Sequence, residues 1–142
     1  MSRPLLVIAL GLLAPAAAEA QRAATPADFL GITRCEGGAA VTSLRHDVRD
    51  SMLVAEIEAH ESVHREQAAM HESCEAFLAS LTSARRIIDA ELPAYCAQWK
   101  IVVARGADSA LTRREFAWRI AAQSGAMENR LQVTQRLEQE CR

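Results

Sequence analysis

Aromatic residues are scarce in this chain, at 4% of 142 residues, with a single Tyr. An excess of charge is missing as well, since 16 Lys and Arg face 18 Asp and Glu, for a formal net charge of −2. That balance offers no basic field to hold nucleic acid, and no nucleic-acid partner is expected. Past the N-terminus no apolar run is long enough to span a bilayer. There is no C-x-x-C pair, the usual half-site of a Cys-rich zinc knuckle. Neither Gly nor Pro occurs between Ala39 and Leu92, so nothing in that stretch forces a helix to stop. Strand signals are few: Lys100-Ile101-Val102-Val103 is β-prone but sits inside a helical pattern.

What is present is ordinary for a globular protein, with 50% apolar and 24% charged residues and a length that suits one domain. The apolar half overstates the core, because 28 of those residues are Ala. Alanine favours helix but buries little area, so the fold is expected to need further support.

The N-terminus reads as an address. Arg3 precedes the apolar run from Leu5 to Leu13, and Pro15 and a small-residue tract lead to Ala18-Glu19-Ala20. These are the charged region, the apolar region and the A-x-A cleavage site of a secretory signal. The expected organisation is a signal peptide over 1–20 and one helical domain over 21–142. The mature chain would be periplasmic or secreted and have no membrane span. Cleavage exposes Gln21 and not a Cys, which argues against a lipid anchor. Cys35, Cys74, Cys96 and Cys141 all lie beyond that point, and an even count in an exported chain predicts two disulfides. Three pairings satisfy the sequence equally.

Thr25-Pro26-Ala27-Asp28 predicts a short helix closed by Gly31, followed by a loop over 31–40 around Gly37-Gly38. A long helix is then expected, its buried stripe running through Leu53, Ile57, His60, His64, Gln67, His71, Cys74 and Leu78. Thr82-Ser83 is the expected turn into a second helix from about Ala84 to Arg105, which Pro93 is expected to kink or interrupt near Glu91. Thr112-x-x-Glu115 reads as a capping box opening a last helix, bent at Ser124-Gly125 and packed on the first. The fold class predicted is all-α, with about four helices.

Chemistry concentrates at His60-Glu61-Ser62-Val63-His64, an H-E-x-x-H sequence on the predicted helix. Residues i and i+4 share a helix face, so two imidazoles can converge on one Zn²⁺. The intervening Glu flanks that face, placed to take a proton from a polarised water. A third ligand is required. His71 on the same straight helix would lie about 10 Å along the axis from His64, too far to share an ion. It remains a candidate for the surrounding shell. An acid from another element is the alternative: Glu91, with Asp47, Glu115 and Glu128 also open. A hairpin turning at Thr82-Ser83 would set Glu91 opposite Cys74, roughly 15 Å from His64. Glu91 can therefore reach the pair only if the first helix ends early or the second crosses it at an angle.

The run His60-Glu61-Ser62-Val63-His64-Arg65-Glu66-Gln67, followed by Glu91-x-x-Ala94-Tyr95, resembles the gluzincin-type zinc metallopeptidases. In particular it is similar to small secreted or toxin-associated bacterial members carrying H-E-x-x-H-x-x-Q and a later E-x-x-A-Y. The resemblance covers 57–98. It implies His60, His64 and Glu91 as zinc ligands, Glu61 as general base, and Gln67 and Tyr95 as site neighbours; on that reading Tyr95 is also a candidate to stabilise a developing oxyanion. Peptide or protein would then be the substrate. The alternative expectation is a non-catalytic helical binding or structural protein of the periplasm, with or without bound metal.

Overall fold

Residues 30–142 are described by the structure, a computed structural model. The expected signal peptide and the helix opened by Thr25-Pro26 lie outside them. The stretch expected as loop is instead an antiparallel hairpin, β1 (Gly31–Glu36) and β2 (Ala39–Leu44). Its register runs from Gly31 opposite Leu44 to Glu36 opposite Ala39. Gly37 and Gly38 have φ of 59° and 87°, as a two-residue hairpin turn with both central residues left-handed requires. The protein is thus mostly helical but not all-α. Gly31 also allows the hairpin to lie on the next helix, since a Cβ there would sit 2.2 Å from Ile57 Cγ2.

Helix α1 (Ser51–Ala69) starts at Asp50, whose carboxylate accepts from the backbone N–H of Met52 and Leu53. It buries Ile57, His60, Glu61, His64 and Ala68. The helix stops twelve residues short of the expected turn at Thr82-Ser83, although the apolar pattern continues. The cause is tertiary. The Cys74 N–H donates to the Gly38 carbonyl at 3.0 Å, and Cys74 is bonded to Cys35 in the hairpin. Ser73 caps a separate short helix, α2 (Cys74–Ser80), by accepting from the Ala76 N–H.

Helix α3 (Ala84–Ala104), capped by Ser83, runs unbroken through Pro93. Pro93 is exposed, and the carbonyl it deprives of a donor belongs to exposed Asp89. Helix α4 (Ser109–Gln123) opens at Asp108, which accepts from the Leu111 N–H at 2.6 Å. The Thr112-x-x-Glu115 sequence is therefore inside the helix and not its cap, with Thr112 Oγ1 donating to the Asp108 carbonyl. Gly125, at φ 68°, ends that segment. A 3₁₀ turn (Met127–Asn129) leads into α5 (Arg130–Glu140). The described residues hold five α-helices where about four were expected.

Helix α3 is the centre of the packing, with α1 on one side and α4 and α5 on the other. The last helix rests on α3 and α4, not on the H-E-x-x-H helix as expected. One apolar cluster, around Leu92, Tyr95, Phe116, Ile120 and Leu137, joins α3, α4 and α5. A smaller one, around Ala68, Cys74, Phe77 and Ala90, joins α1, α2 and α3 and is bordered by the hairpin. Each cluster carries a disulfide, Cys35–Cys74 in the smaller and Cys96–Cys141 in the larger. Two disulfides are consistent with an oxidising compartment. No described helix is long and apolar enough to cross a membrane.

Candidate metal centre

His60 and His64 lie one turn apart on α1, both 1% exposed. Glu91, also 1% exposed, reaches them from α3, because α1 ends at Ala69 and α2 takes up the intervening chain. His60 Nε2 and His64 Nε2 are 3.1 Å apart. Glu91 Oε2 is 3.3 Å from His60 Nε2, and Glu91 Oε1 is 3.5 Å from His64 Nε2. Ligand atoms about 2.0–2.1 Å from a tetrahedral zinc lie about 3.3–3.4 Å apart, close to the spacings of His60 Nε2 from His64 Nε2 and from Glu91 Oε2. The Glu91 carboxylate is buried between the two imidazoles and needs a positive partner there, which either a protonated imidazole or a bound cation supplies. Two imidazoles and one carboxylate, the one such group among the described residues, form a donor set that could hold a metal ion.

Without a metal the same groups form an ion pair. Burial alone lowers the His64 pKa, but the Glu91 charge and hydrogen bonds with Glu91 and Gln67 raise it to about 9 from 6.5. For Glu91 burial acts upward, and the His64 charge with hydrogen bonds to both imidazoles overrides it, bringing the group to about 2 from 4.5. The His64 contribution to stability is complete below pH 6.5 and lost as pH rises through about 9. The Glu91 contribution is complete above pH 4.5 and lost as pH falls through about 2. The metal-free protein is therefore expected to melt highest between pH 4.5 and 6.5. Zinc needs His64 neutral, so its added stabilisation should grow from pH 6.5 towards 9. Melting curves with zinc and with chelator across that range check both trends. A zinc increment that shrinks as pH rises would contradict this assignment of charge.

The surroundings constrain the neighbouring groups. Glu61, 1% exposed, accepts a 2.6 Å hydrogen bond at Oε2 from the Thr33 hydroxyl on β1. Gln67 Oε1 lies 2.9 Å from His64 Nδ1, and Gln67 Nε2 donates to the Ala90 carbonyl at 2.8 Å. The Tyr95 ring meets His60 edge-on, centroids 4.6 Å apart, and lies tilted against the Phe116 ring at 4.8 Å. Burial and the Glu91 charge push its phenol pKa well above 10, which keeps the O–H intact. A cavity of about 360 Å³ opens against His60, Glu61 and Tyr95, walled by Leu53, Val102 and Phe116.

The structure thus brings together His60, Glu61, His64, Gln67, Glu91 and Tyr95. His71 stays apart: the helix ends before it, leaving its side chain exposed and its ring 5.4 Å from Phe77. Asp47 is exposed and paired with Arg45, Glu115 pairs with Arg119, and Glu128 is exposed, so none of them joins the ligand group. Thr33 is the contact that sequence reasoning missed. The Gly37-Gly38 pair between two short β-capable runs was the available signal for its strand. Comparison with known proteins finds no matching protein family, no matching curated protein and no matching solved structure.

Proposed function

We propose that this protein is an exported zinc-dependent metallopeptidase. The observation that carries the reading is the convergence of His60 Nε2, His64 Nε2 and the Glu91 carboxylate at 3.1–3.5 Å, with Glu61 buried beside them. His60, His64 and Glu91 would hold a Zn²⁺, which would supply Lewis acidity towards a carbonyl oxygen and a water. The remaining work falls to the chain's own side chains.

Glu61 is the general base. Thr33 holds its Oε2, which orients the carboxylate and leaves Oε1 to take a proton. Water oxygen adds to the peptide carbonyl carbon while its proton passes to Glu61. The same proton returns to the departing amine nitrogen as the C–N bond breaks. Tyr95, whose O–H stays protonated, is the donor for negative charge developing on the carbonyl oxygen. The cavity against His60 and Glu61 has the volume of a small-ligand site and offers apolar walls to a substrate side chain.

Zinc content of the purified mature protein tests the reading first. One equivalent per chain is expected, falling below about 0.1 in Glu91→Ala because two imidazoles alone hold zinc weakly. Less than about 0.2 equivalents in the unsubstituted protein sinks the proposal.

A further inference from the structure

We infer that Gln67 is a positioning residue that sets the tautomer of His64 from the backbone of the helix carrying Glu91. The inference rests on the metal-site reading above and goes beyond it by naming what orients one of its ligands.

The argument starts at a carbonyl. The Ala90 oxygen can only accept, so the Gln67 group 2.8 Å away must be the amide N–H₂. That fixes the other end of the amide: its oxygen is the atom 2.9 Å from His64 Nδ1. An amide oxygen can only accept, so Nδ1 carries the hydrogen. In neutral His64 the lone pair is then on Nε2, the nitrogen that faces His60 Nε2 and Glu91. The tautomer needed to bind a metal is thus dictated by a chain of two hydrogen bonds running back to a main-chain atom. That atom belongs to the residue before Glu91, so one side chain links α1, which bears both imidazoles, to α3, which bears the carboxylate.

The other imidazole lacks this arrangement. His60 Nδ1 is buried with no hydrogen-bond partner. The two histidines are therefore unequal, His64 being set by hydrogen bonds and His60 held by packing against the Tyr95 ring.

Two substitutions and one spectroscopic signature test this. Gln67→Met keeps the length of the side chain and removes the acceptor, and zinc affinity is expected to fall about 10–100-fold. Gln67→Glu keeps an acceptor at Nδ1 but loses the anchoring bond to the Ala90 carbonyl, and its affinity is expected to fall clearly less than that of Gln67→Met, because the acceptor alone still holds the hydrogen on Nδ1. In ¹⁵N-histidine-labelled, zinc-loaded protein, the His64 Nδ1 proton should exchange with solvent more slowly than that of His60, and lose this protection in Gln67→Met.

If Gln67→Met binds zinc as tightly as the unsubstituted protein, the inference is overturned while the metal site stands. Equal weakness in both variants also overturns it, since Gln67 would then act only as a tie between helices. Should Gln67→Met fail to fold, the exchange comparison in the unsubstituted protein still decides: equal rates for His60 and His64 refute the inference. A protein that binds no zinc at all removes the reading on which it rests.

Discussion

Replacing Glu61 by Gln is expected to lower peptide-bond turnover by about 10²–10⁴-fold while zinc stays at one equivalent per chain. The two halves of that outcome come from different atoms. Gln is nearly isosteric with Glu, and its amide oxygen can still accept the Thr33 hydroxyl that now reaches Glu61 Oε2 at 2.6 Å. Helix α1 and the hairpin should therefore keep their relative placement. What is lost is the ability to take a proton and give it back, and the size of the effect is that of a positioned general base. Zinc should remain because the carboxylate that joins the two imidazoles is Glu91, not Glu61. Initial rates on a mixed peptide pool, followed by mass spectrometry beside zinc analysis of the same samples, check both parts. Turnover that survives would remove Glu61 from the chemistry. Zinc that disappears would place Glu61 among the ligands. Turnover absent even from the unsubstituted protein, with zinc bound, would favour the non-catalytic metal-binding alternative.

The candidate ligands are easier to read from sequence than the frame that aligns them. His60 and His64 announce themselves through i,i+4 spacing within one helix, a local relation that needs no tertiary information. The bounds of α3 are similarly local: Ser83 caps its start, and the expected segment from Ala84 to Arg105 differs from the observed Ala84–Ala104 by one residue. The end of α1 is a different matter. Apolar positions continue through Cys74 and Leu78, because α2 resumes a helical pattern after four residues, so periodicity alone sees one helix. What stops α1 is the tie of Cys74 to Cys35 and Gly38, a contact between distant segments that no local rule contains. That same early stop brings Glu91 to the imidazoles and resolves the offset of roughly 15 Å that a straight hairpin would leave. The hairpin itself was hidden by composition. Gly31–Glu36 and Ala39–Leu44 mix β-branched residues with Gly, Ala and Arg, and only Gly31, Ile32 and Thr33 are buried. Its alternation is too weak to outweigh the helical bias around it, and Thr33 has no mark of its own beyond the glycine pair at the turn.

The two disulfides should cost nearly the same to remove and yet affect the site unequally. They close loops of similar length, with sequence separations of 39 for Cys35–Cys74 and 45 for Cys96–Cys141. Loop-closure entropy assigns about 4 kcal/mol to each. For a domain of this size that is about 15 °C in melting temperature for either Ser pair. Their positions differ more than their energies. Cys96–Cys141 fastens the C-terminal end to α3 within the larger apolar cluster, where Leu92, Val133 and Leu137 are almost wholly buried and hold the helices by packing. Cys35–Cys74 fastens the hairpin, which has a single buried large apolar side chain, Ile32, and carries the Thr33 hydroxyl that orients Glu61. Without that link the hairpin keeps its contact at Gly31 and Ile57 but loses the covalent hold on its far end. Measured well below both melting points, Cys35→Ser/Cys74→Ser is expected to lose about tenfold in turnover, a fraction of the general-base effect. Cys96→Ser/Cys141→Ser is expected to stay within about twofold of the original, because the Thr33 hydroxyl that orients Glu61 lies on the hairpin and not on the segment this bridge fastens. Equal losses of turnover in the two variants would show that the hairpin does not position the base. A melting loss confined to one of them would show that packing, not loop closure, sets what each bridge contributes.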